Sequence, residues 1–135
     1  MADATNEVRD RTVTLAGESI VVRELRHGQV LRLYSFVSPL VNGFTKLLKT
    51  GGTETTLAEI ELVIAANADA WLQLTAASCE RDPAWVAGLT DADAQRLANA
   101  FWEANGSWLV RRSVMFGLDD LLRTLIDKAR EVDHG

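Results

Sequence analysis

The apolar positions of this chain change period along its length. Near the start they fall in two short β-branched runs, and from Val30 onward they recur at steps of three and four. Thr12, Val13, Thr14 and Leu15 form the first run and Ile20, Val21 and Val22 the second, on either side of "AGES". Two such runs around a glycine-containing turn spell a β-hairpin. A lone hairpin is marginal in water, so this one is expected to pack on the helices that follow.

In the stretch "RHGQVLRLYSFVSPLVNGFTKLLK", Val30, Leu33, Tyr34, Val37, Leu40, Val41, Phe44 and Leu48 share one helical face. Pro39 removes a backbone donor and is expected to kink or split this helix near Ser35. Its phase puts it opposite the apolar stripe, where water can reach the freed carbonyl. "TGGTETT" reads as a loop. Thr56 with Glu59 three residues later is a capping-box pattern, so a second helix is expected from Leu57 to Cys79. Its face carries Leu57, Ile60, Ile64, Ala68, Trp71, Leu74 and Thr75, with Asn67 among them. Asp82 as N-cap, Pro83 in first position and Gly88 at the end mark one short helical turn.

The longest helical pattern starts after Thr90, a good N-cap, with Asp91 and Asp93 suited to the positive end of the helix. Advancing 100° per residue from Leu97 puts Phe101, Asn105, Trp108, Arg112 and Met115 in one quadrant. Ala98, Leu109 and Phe116 border it and Trp102 flanks it. Arg96, Glu103, Gly106, Ser107 and Arg111 fall on the other side. Asn105 and Arg112 are therefore polar members of an apolar stripe, as is Asn67 on the second helix. A buried amide needs partners, so Asn67 and Asn105 are expected either to face each other or to cap backbone, or else to reach solvent at the stripe's edge. Arg112 is expected to lay its stem on apolar surface and keep its head in water. Gly117 interrupts the pattern and Asp119–Asp120 restart it. Leu118, Leu122, Leu125, Ala129 and Val132 then step by three and four, widened by Leu121 and Ile126.

The length, 135 residues, fits one domain. The domain reads as residues 11–116, preceded by a flexible polar segment, 1–10, and followed by an amphipathic helix and polar tail, 117–135. The fold class is mainly α with a small N-terminal β-hairpin (α+β), its three to four helices packed as an irregular bundle. A net charge of −5 gives no support to nucleic-acid binding, which draws on released phosphate counterions. The start, "MADATNEVRDR", has no apolar signal region, and no apolar run is long enough to span a bilayer. A soluble cytoplasmic protein without membrane contact is expected.

Candidate chemistry is sparse. The one cysteine, Cys79, lies at the end of an amphipathic helix, where a free thiol packs as a small apolar group. His27 sits at a strand–helix junction and His134 in the polar tail, so no metal-ligand spacing arises. Glycine patterns for phosphate, dinucleotide or nucleophile-elbow sites are missing. Asp91/Asp93 and Asp119/Asp120 are helix-start carboxylates. No catalytic residue, cofactor or metal is assigned, and an enzyme is not expected.

The order of parts carries a resemblance. A hairpin, "VTLAGESIVVREL", leads into "RHGQVLRLYSFVSPLV", then "AANADAWLQL", then "WVAGLTDADAQRLANAFWEANGSWLVRRSV". Over residues 12–116 this resembles the tail assembly chaperones of Mu-like and other contractile-tailed bacteriophages. The residues that carry it are Leu89, Thr90, Asp93, Ala100, Trp102, Glu103, Asn105, Trp108 and Leu109. Gly106 departs from it, being a poor helix former.

The resemblance implies a non-catalytic role in the bacterial host cytoplasm. Such a protein binds the tape measure protein, keeps it soluble during tail assembly, and is absent from the mature particle. It acts in several copies, often with a longer frameshifted form that shares the N-terminal domain. On that reading the partner surface is placed on Trp102 and on Leu118, Leu121, Leu122, Leu125 and Ile126, the competing reading being that the C-terminal stripe closes the chain's own core. Alternative functions are a structural tail or virion component and a small helical adaptor.

Overall fold

The computed structural model describes the backbone of residues 9–51 and 55–134, and the side chains of residues 9–50, 55–113 and 127. The chain opens with β1 (Arg11–Leu15) and β2 (Glu18–Val22), paired antiparallel with Leu15 opposite Glu18 and Arg11 opposite Val22. The turn is tighter than "AGES". Only Ala16 (φ 51°) and Gly17 (φ 78°) form it, while Glu18 and Ser19 already belong to β2. Two successive positive φ angles make the turn whose twist matches that of the flanking strands. Leu15, Ile20 and Val22 point inward and are buried.

The first long helix is split in two, α1 (His27–Arg32) and α2 (Tyr34–Gly51). The break is at Leu33 (φ −99°, ψ 15°), two residues before the expected Ser35, and Pro39 lies inside α2. Leu33 holds the junction with its backbone. Its N–H donates to the Gln29 carbonyl, and its own carbonyl accepts from Phe36 and Val37 at 2.8 and 3.0 Å. Ser35 and Pro39 are both exposed, so the carbonyl that Pro39 leaves free faces water. Val37, Leu40, Val41 and Phe44 are buried as the pattern requires. Tyr34 and Leu48, placed on the same stripe, are exposed at its ends.

The second long helix is also two, α3 (Leu57–Ala66) and α4 (Ala68–Cys79). The capping box at the start of α3 forms in full: Thr56 Oγ1 accepts from the Glu59 N–H, and the Glu59 carboxylate accepts from the Thr56 N–H, both at 3.2 Å. Asn67 causes the break (φ −126°, ψ 43°). Its N–H donates to the Ile64 carbonyl and its Nδ2 to the Val63 carbonyl at 2.9 Å, so a short amide competes with the helix for backbone partners. The next helix, α5 (Pro83–Ala87), is capped by Asp82, whose carboxylate accepts from the Ala84 N–H at 2.8 Å, and ends at Gly88.

The last helix, α6, runs unbroken from Asp91 to His134. Thr90 caps it by accepting from the Asp93 N–H at 3.2 Å. Gly117 does not interrupt it, nor does it restart at Asp119–Asp120. One glycine costs about 1 kcal/mol against alanine, too little to break a ladder that continues on both sides. The architecture is thus a two-stranded hairpin with six helices among the described residues, more than the three to four expected because Leu33 and Asn67 each divide one. The class is mainly α with an N-terminal hairpin. Helix α6 is its spine: Leu97, Phe101, Ala104, Trp108 and Leu109 are buried where the hairpin, α2 and α4 pack against it.

Candidate functional site

Two features of α6 bear on function, one polar and sealed, the other apolar and open. The polar one is Asn105, fully buried. Its Oδ1 accepts from the Leu25 N–H at 2.8 Å and from Trp108 Nε1 at 2.9 Å, and its Nδ2 donates to the Arg23 carbonyl at 3.0 Å. The amide therefore caps the backbone that leaves β2. It does not face Asn67, which bonds to its own helix. Beside it, Arg112 lies with its guanidinium carbon 5.8 Å from the centre of the Trp108 ring and keeps part of its surface in water. Every polar group of Asn105 is committed to the fold, which leaves none for a ligand.

The open feature begins at Trp102, half-buried on the flank of the core stripe. Its ring meets Phe44 edge-on at 5.5 Å, Trp71 at 5.8 Å and Phe101 at 6.1 Å between centroids. Such offset and edge contacts fix ring orientation beyond simple area burial. The outer side of Trp102 faces a groove of about 350 Å³. Phe44, Leu47 and Leu48 from the end of α2 form one wall, and Leu57 and Ile60, just after Thr55, form the second. Leu109, Val110 and Ser113 of α6 complete it. No titratable side chain lines it among the described residues, and the Ser113 hydroxyl is already donating to the Leu109 carbonyl. The rim is exposed apolar surface, with Leu57 at 65% and Val110 at 54% of full exposure.

Of the residues assigned to a partner surface from sequence, Trp102 lies on this groove. The side chains of Leu118, Leu121, Leu122, Leu125 and Ile126 lie outside the described residues. Sequence reasoning missed Leu47 and Val110 and placed Leu57 in the core. The signal available was phase: Val110 is a large apolar residue outside the core quadrant of α6.

Other chemistry is not assembled. Cys79 is buried, with its thiol donating to the Thr75 carbonyl. Burial pushes its pKa up, only partly countered by the Arg81 charge, which keeps it a neutral packing group. Among the described residues no three His, Cys, Asp or Glu side chains converge as a metal site. Among them, too, no helix is long and apolar enough to cross a membrane.

Compared with known proteins, residues 8–129 match the model of a family described as a family of unknown function (DUF6631). No curated protein and no solved structure matches the chain.

Proposed function

The chain belongs to the DUF6631 family, and from its groove we propose that it is a non-catalytic helix-binding module, a phage tail assembly chaperone for the tape measure protein. The observation that carries this reading is the carbon-lined groove with Trp102 as its floor. An amphipathic client helix offers large apolar side chains at i, i+3 or i+4 and i+7, and a groove without charge suits that face. Binding the apolar face removes it from aggregation and shifts the client toward a soluble complex by mass action. Trp102 is also among the residues that carry the resemblance to tail assembly chaperones. Among the described residues no titratable side chain lines the groove, which fits holding rather than reaction. The protein acts in the host cytoplasm and leaves before the particle is complete.

Co-expression with a tape measure protein tests the reading. The client is expected to be soluble and to co-purify with the wild type, and to precipitate with Val110→Glu. That variant puts a charge on the groove wall without touching the core. A client equally soluble with the variant, or with no partner at all, refutes the proposal.

A further inference from the structure

Helix α6 carries two apolar stripes, and they lie on different sides of it. In its first half the stripe runs through Leu97, Phe101, Ala104, Trp108 and Leu109, buried on the side where the hairpin, α2 and α4 pack. Beyond Ser113 the backbone stays helical to His134. There the apolar positions of the sequence are Leu118, Leu122, Leu125, Ala129 and Val132. At 100° per residue this second stripe is centred about 100° round the helix from the first. It falls in line with Arg96, Glu103, Ser107 and Arg111, all of them exposed. The core side itself continues past Phe116 through Asp119, Arg123 and Arg130, with Ile126 among them. A stripe that has moved from the core side of the helix to the solvent side is not one that the chain's own domain closes.

The spacing of the second stripe is that of a seam between helices. Steps of four, three, four and three are the heptad repeat of a coiled coil. Leu118, Leu125 and Val132 take position d, and Leu122 and Ala129 take position a. On the flanks, Leu121 and Lys128 take g, and Ile126 and Asp133 take e. In a parallel pair of such helices each g lies beside the next e of the other helix. Leu121 then falls beside Ile126 of a second copy, and Lys128 beside its Asp133. Apolar matches apolar, and cation matches carboxylate. An antiparallel pair matches g with g, which sets Leu121 beside Lys128 and takes the lysine from its carboxylate. The flanks therefore complement themselves in one orientation.

We propose that the second half of α6 pairs in parallel with that of a second copy of this chain. The pair is a closed two-fold dimer with both domains at one end. Two heptads are few for an isolated coil. The folded domain starts α6, however, and so removes the nucleation step that makes a short helix marginal on its own.

Light scattering of the full-length chain tests this. At about 100 µM the mass of a dimer is expected, falling to that of a monomer on dilution. Leu122→Glu is expected to weaken dimerisation at least about tenfold by placing a charge in the seam. Lys128→Glu sets like charges side by side and is expected to weaken it about threefold or more, and adding Asp133→Lys to that variant is expected to restore the wild-type affinity. Near-ultraviolet circular dichroism checks the fold of each protein. The charge variants keep every apolar residue, so they read the pairing even if Leu122→Glu disturbs the fold. A wild type that is monomeric at about 100 µM overturns the proposal, and so does a dimer that folded Leu122→Glu leaves intact. A double charge exchange that fails to restore what Lys128→Glu lost overturns the parallel pairing.

Discussion

Asn105 satisfies backbone that no strand or helix reaches. Leu25 and Arg23 follow β2, where the ladder has ended, and their N–H and carbonyl meet one amide of α6. Asn105→Ala removes both bonds and the one to Trp108. Each buried group left unpaired costs about 1–3 kcal/mol. Urea unfolding is expected to show a loss of about 3 kcal/mol or more with an unchanged slope, and a loss below about 1 kcal/mol would contradict this role. Two glycines make a matched contrast. A Cβ at Gly106 would make an ordinary 3.5 Å contact with Trp102, whereas one at Gly43 meets Val63 at 2.6 Å. Gly106→Ala is therefore expected to stabilise by up to about 1 kcal/mol through helix propensity. Gly43→Ala is expected to destabilise by about 1–3 kcal/mol through overpacking, and to become stabilising when Val63→Ala removes the obstacle. A stabilising Gly43→Ala in the wild-type background would contradict the close seat of α3.

At the scale of elements, the hairpin turn carries an avoidable cost. Ala16 holds a positive φ that alanine adopts reluctantly. Its N–H donates to the Asp93 carboxylate at 3.1 Å, a bond that any residue other than proline keeps. Ala16→Asn is expected to raise stability by about 0.5–1 kcal/mol, read as a higher midpoint in thermal unfolding. Much of the element plan was legible in the sequence because local chemistry writes it. The Thr56–Glu59 box, the Asp82–Pro83 start and the Thr90 cap all form. A split of the first helix was expected near Ser35 through Pro39, but its place at Leu33 was not legible, nor was the break at Asn67. Neither residue is a strong breaker, and each interrupts a stripe whose period continues beyond it. Gly117 misled in the opposite sense, since a residue of poor propensity stays helical when its neighbours carry the ladder. The groove was half legible. Trp102 stood out on the flank of its stripe, but Leu47, Leu57 and Val110 come from three helices, and only packing brings them together.

For the whole molecule, α6 ties these scales together. Its 44 residues extend about 66 Å at 1.5 Å per residue, well beyond the roughly 35 Å across a compact domain of this size. One side of its first half closes the core through Phe101, Asn105 and Trp108. The flank of the same turns, through Trp102 and Val110, opens into the groove. A single helix thus joins the sealed interior to the surface proposed for the client. A charge at Val110 should therefore separate binding from folding. The most direct measurement is calorimetric titration of helical tape-measure peptides into the wild type and into Val110→Glu. Wild-type binding is expected with a negative heat-capacity change, the mark of buried apolar surface. The variant is expected to bind at least about tenfold more weakly while its unfolding curve is unchanged. Equal affinities in the two proteins, or no binding by the wild type, would contradict the groove as the client site.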